Sequence, residues 1–258
     1  MDSLILHPIS TPLIRQGDNL IDLILKALPT PLENGDILVI AETVVATVEG
    51  RVVTLADVKP SRKAIEYAEK YELEPALAEL VIRESDTILG GIPSLLLTIR
   101  NGTLLANAGI DHSNTPQGTV VLLPEDPMAS ARRIRKEIKT RTGCRIGVIV
   151  ADSRTQPLRM GVVGIAVGVA GFVPIQDMRG QEDLYGRKLR ITRRALADDL
   201  ASAAELLMSE ANEKIPVVRI RNAPVEVSEK KWTSEDLAIS AEECLYMKIF
   251  NEWRQGNK

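Results

Sequence analysis

At 258 residues, 45% of them hydrophobic and 26% charged, the chain carries enough apolar material to bury a substantial core. A net charge of −3 and an aromatic content of 3% exclude a face-sized basic patch and a base-stacking platform, so nucleic acid is not an expected partner. The longest apolar run, Gly161 to Ile175, is too short and too glycine-rich to span a bilayer. No membrane association is therefore expected.

The first residues lack a basic region followed by an apolar stretch, so a cytoplasmic protein is expected. Cys144 and Cys244 lie far apart and have no metal-ligand spacing, which points to two reduced thiols. With only His7 and His112 present, an HExxH zinc site is excluded. A Ser-His-Asp relay would need one of them, and His112 beside Asp111 is the candidate.

Leu4 to Pro8 reads as a first strand, and Asp18 as the N-cap of a helix over Asn19–Leu28. Asn34-Gly35-Asp36 is a turn, followed by a buried strand, Ile37–Ala41. Ser61 to Arg83 is helical by composition, with an interruption at Glu74-Pro75. Ser94–Ile99 and Thr103–Ala106 flank Asn101-Gly102, a hairpin signature. Val120–Leu123 is a short strand, and Pro127–Thr140 a basic amphipathic helix with a solvated face.

The run Ile146–Val150 is expected to deliver Asp152 and Ser153 to a polar turn rich in arginine and proline, before a second apolar run from Gly161. Gly180 to Lys188 is a polar loop, Ile191 to Ala211 a helix and Ile215–Ile220 a strand. Ser234–Asn251 is a closing helix with a capping box from Thr233 and Asp236. Strands and helices are interspersed without strict alternation. The expectation is one domain over residues 1–258, of α/β class with a mixed α+β architecture.

Asp111 and Asp152 each follow an apolar strand. Together with the Ser153 hydroxyl they offer the oxygen donors that Mg²⁺ or Mn²⁺ prefers. The competing reading is that each aspartate caps a turn through its own backbone. Arg159 and Arg187 offer planar forks for phosphate or carboxylate. Gly161, Gly164, Gly168 and Gly171 match neither GxGxxG nor the P-loop, and fit close backbone packing instead.

Taken together, ILVIAETVV with Glu49-Gly50-Arg51, NAGIDHSN, GVIVADS, GVVGIAVG and DLYGR resemble the coenzyme F420-0:γ-glutamyl ligase family. The likeness runs from Thr11 to near Glu210. It implies a mixed α/β fold and an intertwined homodimer. It also implies a GTP-dependent ligase that joins L-glutamate to the deazaflavin precursor through an acyl phosphate. Two divalent sites, Mg²⁺ or Mn²⁺, are part of that implication, with K⁺ as a further ion.

Position by position, the resemblance assigns the first metal to Asp111 and Asp152, and the second to Ser153 and Glu210. Asp152 and Arg159 become the candidate catalytic residues. Thr11, Pro12, Leu13, Ile14, Glu42, Thr43, Thr47 and Asn114 align with nucleotide-contacting positions. So do Met208, Ser209, Ala211, Asn212, Glu213, Lys214 and Ile215.

The nucleotide set departs from the family pattern. Thr47 replaces a phosphate-facing lysine, Glu42 replaces a small hydroxyl residue, and the segment Ser209–Lys214 lacks the usual glycines. The run Arg154–Arg159 replaces a glycine-containing turn. A lost charge-assisted phosphate contact costs about 1.5–3 kcal/mol unless replaced, and Arg154 or Lys214 are the candidates to replace it. A ligase with a different carboxylate acceptor, a non-catalytic metal- or nucleotide-binding descendant and a metal-dependent phosphohydrolase are the alternative readings.

Overall fold

In the computed structural model, which describes residues 3–249, the chain begins with β1 (Ile5–Ile9), α1 (Leu20–Ala27), β2 (Ile37–Ala41), α2 (Glu42–Val48) and β3 (Val52–Thr54). It continues through α3 (Arg62–Tyr71), α4 (Pro75–Glu84), β4 (Thr87–Ile92), β5 (Leu95–Arg100), β6 (Thr103–Ala106) and β7 (Thr119–Val121). Then follow α5 (Pro127–Thr142), β8 (Gly147–Thr155), β9 (Val162–Ala170), β10 (Gln176–Asp177), β11 (Arg193–Arg194), α6 (Leu196–Met208), β12 (Val217–Arg221) and α7 (Ser234–Leu237). The mixed α/β class expected from the interspersed pattern is what the chain adopts.

The central sheet has the order β1-β12-β2-β8-β9. Only β2 and β8 run parallel, with Ala41 opposite Ala151. Both are covered on two sides, which is why they read as continuous β-branched runs. Alternation along β2 sends Leu38 and Ile40 to the core beneath α1 and α5, and Ile37 and Val39 to the core beneath α6. A separate core gathers α3, α4 and the β4-β5-β6 meander around Ala64, Leu77, Val81 and Leu96.

Glycines in β9 permit these layers. A Cβ on Gly164 would lie 2.6 Å from the Ala201 carbonyl oxygen of α6, and one on Gly168 would overlap the Pro127 carbonyl of α5. The expectation of close backbone packing is met at both positions. A β-bulge between the Val150–Gly168 and Ala151–Ala166 pairs leaves Ala166 N–H free of the ladder, and Asp198 Oδ1 accepts it at 2.9 Å.

Several expectations need correction. Asn19, not Asp18, caps α1 by accepting from Asp22 N–H, because Asp18 is spent on Arg15 N–H. α6 is shorter than Ile191–Ala211: Arg193 and Arg194 pair with β10, and Ser209 breaks the helix at φ 59° and ψ −175°. The face of α5 is not simply solvated, since Arg133, Arg135 and Arg141 pair with Glu49, Glu229 and Asp22.

The closing helix is interrupted. Its Thr233–Asp236 capping box forms, but α7 ends at Leu237, and Ser240 starts a new turn by accepting from Glu243 N–H. Residues 245–249 are helical, and the expected end at 250–251 lies outside the described residues. The Asn101-Gly102 turn has both φ angles positive, as its hairpin signature requires. α2, β3 and β4 carried no sequence signal strong enough to be expected. Among the described residues no helix is long and apolar enough to cross a membrane.

Candidate active site

β8 does not stop at Val150. It pairs with β9 through Thr155, so Asp152 and Ser153 are strand residues opposite Ile165 and Gly164 rather than turn residues. Successive strand residues face opposite sides. The donors of Asp152 and Ser153 therefore serve two different faces of one sheet end.

On the first face, Glu42 and Asp152 follow directly on the parallel pair Ala41–Ala151, and Asp111 arrives on a bridge to Val121. Burial, then the Asp152 charge, pushes the Glu42 carboxyl well above the usual carboxylate range, with Asp111 adding to the effect. Burial also raises Asp152, with Asp111 adding to it, while the charge and hydrogen bond of Arg154 oppose the rise. Arg154 Nε donates to Asp152 Oδ2 at 3.0 Å.

Asp111 also caps its own turn, accepting from Ser113 N–H at 2.8 Å and from the Ser113 hydroxyl. The turn-capping and ligand readings of this residue are compatible. His112 is exposed and Ser113 donates directly to Asp111, so no Ser-His-Asp relay forms here. Cys144 and Cys244 are both free.

On the second face, the Ser153 hydroxyl donates to Glu210 Oε2 at 3.3 Å. Burial pushes Glu205 up to about 7, helped by its hydrogen bond to Glu210 and by the charges of Glu210 and Asp152. Glu205 was not expected as a site residue. The signal was available: Asp198, Ala201 and Glu205 share one stripe of α6, and that stripe meets β9 through Gly164.

Among the described residues no group of three or more His, Cys, Asp or Glu side chains is arranged to hold a metal. Asp111 acts on Asp152 through its charge, and Ser153 is hydrogen-bonded to Glu210. Mg²⁺ commonly takes one or two carboxylates and completes its shell with water and phosphate oxygens. The Asp152 charge raises the proton affinity of both Glu42 and Glu205, and carboxylates crowded in this way are donors of the right chemistry for a hard cation.

The segments assigned to the nucleotide are brought together. Thr11 N–H donates to the Lys214 carbonyl at 3.0 Å, and Asn114 Nδ2 donates to the Ala211 carbonyl at 3.0 Å. The Thr11 hydroxyl is buried without a hydrogen-bond partner. Thr43 and Thr47 lie one helical turn apart on one face of α2. Pro12, Leu13, Ser209, Asn212 and Glu213 are exposed around this junction, whereas Ile14, Met208 and Ile215 turn their side chains to the core.

Ser209 and Lys214 adopt positive φ, so the loop keeps a glycine-like backbone without glycine. Arg159 is not brought to the carboxylates. It sits on the exposed β8–β9 turn, its backbone N–H bonded to the Gln156 carbonyl. Arg187 is also exposed, 5.8 Å from the Tyr185 ring centre.

The sequence profile of the F420-0:gamma-glutamyl ligase family matches residues 8–222. The chain is 44% identical over 215 residues to the coenzyme F420:L-glutamate ligase of Methanopyrus kandleri, covering 83% of this chain and 84% of that one. It is 44% identical over 217 residues to the protein of the same name from Methanothermobacter thermautotrophicus, covering 83% and 86%. Against the Methanocaldococcus jannaschii protein, also so named, identity is 41% over 238 residues, covering 91% and 93%.

Proposed function

The chain belongs to the F420-0:gamma-glutamyl ligase family, and from that premise we propose that it is a GTP- and divalent-metal-dependent amide ligase that adds L-glutamate to the coenzyme F420 precursor. One observation carries the reading. At the end of β2 and β8 the charges of Asp152 and Asp111, from two remote segments, act on Glu42, beside the junction of the Thr11, Asn114 and Ala211–Lys214 loops.

The reaction has two steps. An oxygen of the precursor carboxylate bonds to the γ-phosphorus as the bridging P–O bond breaks and GDP leaves. The glutamate nitrogen then bonds to the acyl carbon, the C–O bond breaks, phosphate leaves and the amine gives up a proton. Asp111 and Asp152 would hold one cation and Ser153 and Glu210 the other. Bound cations would supply charge neutralisation at the phosphate oxygens. The chain itself supplies placement, because the two faces of β8 fix the donors on either side of one strand. The Thr11 to Ile14 segment and the Ser209–Ile215 loop would receive the nucleotide, and Arg159 would clamp a phosphate or carboxylate.

The proposal includes a homodimer working in the cytoplasm. Leu158, Met160, Leu184 and Ile191 are large apolar side chains left exposed on two projecting loops, and a second copy would cover them.

The test is an assay of nucleoside diphosphate release with Mn²⁺, GTP, L-glutamate and the precursor, each omitted in turn, with mass spectrometry of the products. Release that requires every component, with one glutamyl mass gained by the precursor, is expected. Release without glutamate would replace the ligase by a phosphohydrolase.

A further inference from the structure

Arg154 follows Asp152 by two residues on β8, so both side chains leave the same face of the strand. Their side chains are only 10% and 13% exposed, and Arg154 Nε holds Asp152 Oδ2 at 3.0 Å. The charges acting on this pair from other segments are acidic. Asp111 and Glu42 bear on Asp152 from the neighbouring segments, and Asp198 bears on Arg154 from α6. Asp198 is itself fixed, because its Oδ1 accepts the Ala166 amide that the β-bulge released. A guanidinium so enclosed is part of the cluster's electrostatics.

A carboxylate oxygen engaged by a guanidinium is less available to a divalent cation, and the two positive charges repel across a poorly solvated gap. We propose that Arg154 is a positioning residue that pins Asp152 through Oδ2 and, as resident counter-ion of the cluster, competes with the divalent cation for that carboxylate. The inference rests on the reading of Asp111 and Asp152 as a cation site. It has a definite sign. Removing the charge strengthens cation binding, whereas loss of a merely structural contact would misplace Asp152 and weaken it.

The experiment is Mn²⁺ titration of the full chain, without nucleotide, followed by the EPR signal of free Mn²⁺. Arg154→Gln should lower the Mn²⁺ dissociation constant about tenfold, a change of about 1.4 kcal/mol. Arg154→Lys, which keeps the charge, should stay within about twofold of the unsubstituted chain. Binding that is unchanged or weaker in Arg154→Gln overturns the proposal, as does equal tightening in Arg154→Lys.

Asp198→Asn covers the case in which Arg154→Gln does not fold. It keeps an acceptor for Ala166 N–H but removes a negative charge that acts on Arg154, so Mn²⁺ binding should weaken about two- to threefold. Unchanged or tighter binding there also overturns the proposal. Failure of the unsubstituted chain to bind Mn²⁺ would overturn the cation-site reading together with this one. Normal binding that ignores Arg154→Gln overturns this one alone.

Discussion

Glu42 and Asp152 stand where the parallel pairing of β2 with β8 ends, each following a member of the pair Ala41–Ala151. β2 turns into α2 at that point while β8 runs on as strand, so the chain packs two carboxylates into one poorly solvated corner. Burial raises the proton affinity of both, and the Asp152 charge raises that of Glu42 further.

Asp152→Asn should abolish Mn²⁺ binding at the first face and reduce turnover about 10³-fold, as expected when several kcal/mol of charge stabilisation is lost. Asparagine is preferable to alanine because its oxygen still accepts from Arg154 Nε and leaves no unpaired buried guanidinium. Thermal unfolding should keep its midpoint within a few degrees. Full activity in this variant would falsify the site assignment.

Glu205 makes stability depend on pH. Its carboxyl is raised from 4.5 to about 7, so the folded state holds a proton that the unfolded chain has already released. That contribution is complete below about pH 4.5 and is lost as pH rises through about 7. After allowance for solvent screening of this half-exposed group it amounts to about 1 kcal/mol, or about 2–4 °C in the melting midpoint. The midpoint of the cation-free protein should fall across that window, and Glu205→Gln should flatten the fall. An unaltered pH profile in Glu205→Gln would contradict this account.

Ser209 holds φ 59° and ψ −175°, a region that only glycine enters without strain. Ser209→Gly should stabilise the protein by about 1–3 kcal/mol in urea unfolding, with no change in slope. Destabilisation would mean that the unfolded chain's added freedom outweighs the strain.

Gly164→Ala places a Cβ against both the Ala201 carbonyl and Glu205 Oε2, each at 2.6 Å. Backbone cannot yield cheaply, so α6 must move away from β9. A loss of about 1–3 kcal/mol is expected by chemical unfolding, as for other overpacked sites. Turnover should fall with it, because the same shift separates Ser153 from Glu210.

The sequence by itself determined most of the strands and most of the helices, since periodicity, caps and turn residues act over a few positions. Ile37–Ala41, the break before Pro75 and the Asn101-Gly102 turn are cases of such local control. Family motifs also made Asp111, Asp152, Ser153 and Glu210 legible as candidate ligands. Only the tertiary structure decided which groups act on one another. Arg154 and Glu205 matter through the neighbours that β9, the bulge and α6 bring to them, and burial and Coulomb terms depend on distances in space. Asp152 and Ser153, adjacent in the chain, were divided between two faces by the continued pairing of β8 with β9. Their separation follows from the twofold period of a strand, which local composition alone did not extend past Val150.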